Sequence, residues 1–127
     1  MYKRILVPLD GTPLAERALP TAEEMARPTD AELLLVRSCY AGDLKGIELE
    51  EGQAAAVAKA RAYLETVAKR LRERGLYVQP VVLYGSPTDV IPHFAETNAV
   101  DMIVMASHSR SGIGRLLRGS TATEIIR

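Results

Sequence analysis

The chain is 127 residues long, the usual size of a single domain, and 47% of it is apolar, enough for a core shared between a sheet and its covering helices. Its 16 basic and 16 acidic side chains cancel, so there is no bulk field to track nucleic acid or an anionic membrane surface, and both partners are set aside. The lone cysteine, Cys39, excludes an internal disulfide, and no stretch approaches the ~20 apolar residues of a membrane span; a soluble cytoplasmic protein with no leader is expected.

In chain order, Ile5-Leu6-Val7 is a short apolar run that stops at Pro8 and reads as a strand buried on both faces. Asp10-Gly11-Thr12-Pro13 supplies a turn and then a helix start, with Thr12 as N-cap and Pro13 at the first helical position, where a missing N–H costs nothing. Leu14, Ala18, Ala22, Met25 and Ala26 recur at helical spacing, and Pro20 predicts a kink among them. Pro28-Thr29-Asp30 closes this helix, and Leu33-Leu34-Leu35-Val36 is a second buried strand. The segment from Tyr40 to Gly46 shows no period and reads as a surface loop. A long helix follows from about Glu48 to Arg74, with Val57, Ala60, Leu64, Val67 and Leu71 forming one stripe toward the sheet. The Lys and Arg residues between them read as a solvated face, and Gly75 ends the helix.

Val78, Val81, Val82 and Leu83 make a third strand, which Pro80 assigns to an edge. Ser86 caps a third helix that begins at Pro87, with Asp89 near its positive end. Met102 to Met105 is a fourth strand, followed by a polar, glycine-bearing loop from Ala106 to Gly119 and a last helix from near Ser120. Short apolar strands alternating with amphipathic helices predict an α/β domain spanning 1–127: a doubly wound open parallel sheet with helices on both faces. Ligands of such sheets bind outside the carboxyl ends of the strands, where the strand order reverses.

Two segments at those ends carry chemistry. Pro8, Leu9 and Asp10 directly follow the first strand, and the Asp10 carboxylate can accept from a ribose hydroxyl or a ring amino group; equally, it can simply cap the following turn. Directly after the fourth strand come Ala106, Ser107, His108, Ser109 and Arg110, ending in Gly119, Ser120 and Thr121. Small residues let a backbone approach phosphate, hydroxyls add donors, and a helix opening at Ser120 would present free N–H groups to an anion. Arg110 and Arg115 can add cationic contacts. The segment is not a P-loop, because no Gly-Lys-Ser/Thr follows it.

Taken together, Ile5 to Asp10, Leu34 to Ser38, Gly85 to Pro87 and Ser107 to Ser120 resemble the universal stress protein family, in the right order along almost the whole chain. The resemblance implies a Rossmann-like, adenine nucleotide alpha hydrolase-like fold with five parallel strands, a homodimer and, in one branch, bound ATP with Mg carried on its phosphates. That branch has glycines at places that here fall on Ala106, Ser109 and Gly119, with Ser120 after the last. The resemblance further sets Asp10 near ribose and adenine, Ser38 where the second strand's end touches the base, and Met105 just before the phosphate loop. Ala106 is a mild departure if its backbone conformation is ordinary. Ser109 costs on the order of 1 kcal/mol if that position needs positive φ, and its hydroxyl could instead serve a phosphate. The family pattern runs on past Arg127 into a fifth strand that helps make the dimer, so that strand is expected to be absent from this sequence.

Two functions therefore compete: an adenine-nucleotide module of the stress response, and a stress-response homodimer that binds no nucleotide and acts through protein partners. A dedicated hydrolase ranks behind both, because apart from Asp10 and His108 no base stands near the phosphate path; at most, slow ATP hydrolysis is expected. His93 and the scattered Tyr and Met residues read as packing or surface, and no side-chain spacing suits a metal.

Overall fold

The computed structural model describes residues 2–39, 49–106 and 122–126, with side chains described over 2–39 and 54–106. Five strands form one sheet: β1 (Arg4–Pro8), β2 (Glu32–Cys39), β3 (Tyr77–Tyr84), β4 (Met102–Ala106) and β5 (Ala122–Ile126). Their order is β3-β2-β1-β4-β5 and every pairing is parallel. The helices are α1 (Pro13–Glu16), α2 (Leu19–Ala26), α3 (Leu49–Glu73) and α4 (Pro87–Thr97), with a 3-10 turn at Arg27–Thr29.

Strand alternation sorts the core into two layers. Ile5, Val7, Leu33 and Leu35 face one side and pack with Ala18 and Ala22 and with Leu64, Val67 and Leu71 of α3. Leu6, Leu34, Val36 and Ile103 face the other, against Ile91 and Ala95 of α4. Both faces are covered, as the unbroken apolar runs of β1 and β2 require. The predicted stripe of α3 is buried at Ala60, Leu64, Val67 and Leu71 and half-buried at Val57, and the far end of the helix stops in a Schellman turn. Gly75, at φ +88°, donates to Arg72 O at 2.9 Å, and Leu76 donates to Leu71 O at 3.2 Å.

Pro20 does more than kink its helix. It has no N–H to give to the Glu16 carbonyl, and α1 stops at Glu16. The chain tightens there, with Arg17 N on Leu14 O at 3.1 Å and Ala18 N on Ala15 O at 3.3 Å, before α2 starts with Pro20 in its first turn. Thr12 caps α1 as expected, its Oγ1 accepting from Ala15 N at 3.2 Å. Ser86 sits at the N-cap of α4 without a side-chain capping bond; its hydroxyl lies 3.0 Å from that of Thr88. Pro80 lies in β3, an edge strand, as its missing donor demands.

The carboxyl end of the chain corrects two expectations. Residues 122–126, through which a helix from near Ser120 would run, are extended, and a fifth strand is present: Ala122–Ile126 pairs with β4, from Met102 opposite Ala122 to Ala106 opposite Ile126. Thr123, Ile125 and Ile126 are β-branched and favour extended backbone, and so short a segment gains little from a helix that must first be nucleated. Pairing also covers backbone groups that β4 would otherwise leave open on that side. The proposed surface loop at Tyr40 to Gly46 lies outside the described residues.

Candidate functional site

From β1 the chain builds outward to β2 and β3 on one side, and to β4 and β5 on the other. β1 and β4 are therefore neighbours from which the strand order runs to opposite sides, the switch point outside whose carboxyl ends a sheet of this kind has its ligand crevice. β1 and β4 pair through Leu6 opposite Ile103, and β1 and β2 through Pro8 opposite Val36. Pro8, Leu9 and Asp10, then Ser38, then Met105 and Ala106 thus gather at the ends of three adjacent strands. Leu9 extends the ladder by donating to Val36 O at 2.8 Å and is buried, whereas Asp10 beyond it is exposed.

The Asp10 carboxylate is held by the turn it precedes. Its Oδ1 accepts from Thr12 N at 2.9 Å and from Thr12 Oγ1 at 2.5 Å. The capping role considered for Asp10 is thus real, and it fixes the carboxylate's direction at the crevice. Ala106 is buried at the last position of β4 and is not among the residues with positive φ, so its extra methyl group strains no backbone. His108, Ser109, Arg110, Gly119, Ser120 and Thr121 lie outside the described residues.

Ser38 is half-buried and, by alternation from Leu34 and Val36, belongs to the α4 face. Its neighbour Arg37 takes the opposite face, the one toward α3, and was not singled out from the sequence. The available signal was a cation directly after the apolar run Leu33 to Val36. The Arg37 guanidinium carbon lies 5.4 Å from the centre of the Tyr63 ring. Tyr63 donates its hydroxyl to Glu16 Oε2 at 2.7 Å, and Glu16 Oε1 takes Arg70 at 3.0 Å. Burial first, then the bond to Glu16, then the charges of Glu16 and Asp10 push the Tyr63 hydroxyl above its ordinary range, against the opposing effect of Arg37. It stays protonated and keeps donating.

Elsewhere, a shallow cleft lined in part by Arg27, Asp30, Gly75 and Tyr77 lies by the amino-terminal ends of β2 and β3, away from this crevice. Among the described residues, no helix is long and apolar enough to cross a membrane.

The family model for the universal stress protein family matches residues 1–127. The chain belongs to the universal stress protein family. One curated member, a universal stress protein of Methanocaldococcus jannaschii, is 30% identical over 139 residues, covering 100% of this chain and 77% of its own length. The solved structure of another protein of that archaeon aligns with a TM-score of 0.82 at 25% identity, over 99% of this chain and 96% of its own. A universal stress protein solved in complex with cAMP aligns with a TM-score of 0.73 at 21% identity, covering 99% of this chain and 97% of its own, a likeness of fold. The Rossmann-like α/β architecture expected from the resemblance is thus the family's own.

Proposed function

We propose that this chain binds an adenine nucleotide, ATP with its Mg foremost, as a regulatory module of the stress response. The observation that carries the reading is the adjacency of β1 and β4, whose carboxyl ends are followed by a turn-held Asp10 and, after Met105 and Ala106, by the sequence segment that runs to Thr121. In this reading Asp10 takes ribose or base, and Ser109, Gly119, Ser120 and Thr121, with His108 and Arg110, take the phosphates. Further support comes from the cAMP complex of a protein with the same fold. The reading includes a cytoplasmic homodimer with no nucleic-acid or membrane partner, in keeping with a net charge of +0 and a lone, buried Cys39.

A second reading, a homodimer that binds no nucleotide and works through protein partners, is favoured by Ala106 and Ser109 standing at glycine positions of the nucleotide-binding branch. Titrating wild type and Ser109→Gly with Mg-ATP separates the two. Relief of a positive-φ penalty of ~1 kcal/mol predicts up to about fivefold tighter binding in the variant. A fall in affinity would instead make the Ser109 hydroxyl a phosphate donor, still within the nucleotide reading. Heat-silent titrations of both folded proteins would decide for the partner-binding dimer.

A further inference from the structure

Leaving β1, the chain is held by two successive residues of β2. Val36 takes the backbone N–H of Leu9 at 2.8 Å, and the side chain of Arg37 lies over Gly11. A Cβ built on Gly11 would stand 3.2 Å from Nη1, 3.5 Å from Cζ and 3.6 Å from Nη2. Three such similar distances describe a flat guanidinium laid against the turn. Gly11 admits it by having no side chain, and it takes φ +88°, which other residues rarely adopt. The Tyr63 ring of α3 is also beside the guanidinium, and that ring is fixed in turn: its hydroxyl donates to Glu16 of α1, which Arg70 engages.

Asp10 is exposed, so its direction depends on how this turn is held. Thr12 fixes the carboxylate within the turn, and Arg37 fixes the turn against β2 and α3. We infer that Arg37 is a positioning residue: by bracing Gly11, it keeps the Asp10 carboxylate where a bound nucleotide's ribose or base would meet it. This rests on the nucleotide reading above. Hydrogen bonds weaken steeply as their angle departs from straight, so a carboxylate on a loosened turn loses affinity without losing its charge. Arginine suits the brace and lysine does not. A planar guanidinium can lie on a ring and on a peptide at once, whereas an ammonium is a compact, strongly hydrated point charge. Asp10 and Arg37 also act on the Tyr63 hydroxyl through their charges, in opposite senses, so carboxylate and brace share one neighbourhood.

The test is a double-mutant cycle on Mg-ATP affinity, read by calorimetric titration of the full chain stripped of ligand: wild type, Arg37→Lys, Asp10→Ala and the two together. A residue that acts through Asp10 matters only while Asp10 is there. Arg37→Lys is expected to weaken binding about fivefold on its own and to leave the affinity of Asp10→Ala unchanged. Melting curves without ligand check folding. Should Arg37→Lys not fold, Tyr63→Phe, which keeps the ring but frees it from Glu16, carries the same cycle with a loss of about twofold. Equal losses with and without Asp10 overturn the inference, because Arg37 would then meet the nucleotide on its own account. Unchanged affinity in Arg37→Lys overturns it too, whatever happens to the melting temperature, since Arg37 would then serve the fold alone. Either result, with Mg-ATP still bound by wild type, leaves the nucleotide reading standing. Wild type that takes no Mg-ATP overturns that reading, and this inference with it.

Discussion

Thr12 gives both its backbone N–H and its hydroxyl to one oxygen of Asp10, and the same hydroxyl accepts from Ala15 at the start of α1. This short chain of bonds ties the carboxylate to the helix that follows, so a nucleotide bound as proposed would meet it already oriented. Asp10→Ala should weaken Mg-ATP binding by ~1.5–3 kcal/mol, the worth of a hydrogen bond to a charged group, while costing the fold about 1 kcal/mol through the loosened cap. Calorimetry and urea unfolding read the two effects separately. Intact affinity with lowered stability would reduce Asp10 to a turn residue. Thr12 and Asp10 were legible because a capping hydroxyl before Pro13 has one obvious use. The parity of β2 was not: Leu33 to Val36 is apolar at every position, so nothing in it says which face Arg37 or Ser38 will take. Only pairing with β1 and β3 decides that.

At the scale of elements, helix ends were easier to read than the break between α1 and α2. Gly75 closes α3 in a left-handed conformation, and a Cβ there would touch nothing within 4 Å. Gly75→Ala should therefore cost only the backbone penalty, ~1 kcal/mol, seen as a lower urea midpoint at unchanged slope. A loss above ~3 kcal/mol would mean that the end of α3 is packed more tightly than its open surroundings indicate. The Pro20 break was only half visible: the sequence says that a bond to Glu16 is missing, not that the chain will tighten instead of bending. β5 was missed for a different reason. Five residues carry no usable period, and what makes Ala122–Ile126 a strand is the open side of β4, a tertiary circumstance that local pattern does not contain.

For the whole molecule, the alternation of strands and helices made the doubly wound sheet legible, and Pro80 identified one of its edges. The neighbour relation between β1 and β4, on which the candidate site depends, comes from the order of strands and not from any one segment. With a net charge of +0, the molecule has no long-range field to gather an anion, so the proposed nucleotide affinity would have to come from groups held at that site. Thermal unfolding of ligand-stripped protein with and without Mg-ATP tests this most directly. A ligand bound only to the folded state, at a hundredfold excess over Kd, adds ~2.7 kcal/mol, which for a domain of this size raises Tm by roughly 10 °C. A rise of that order, absent with Mg alone, is the predicted result; an unmoved Tm at millimolar Mg-ATP would contradict nucleotide binding at this site.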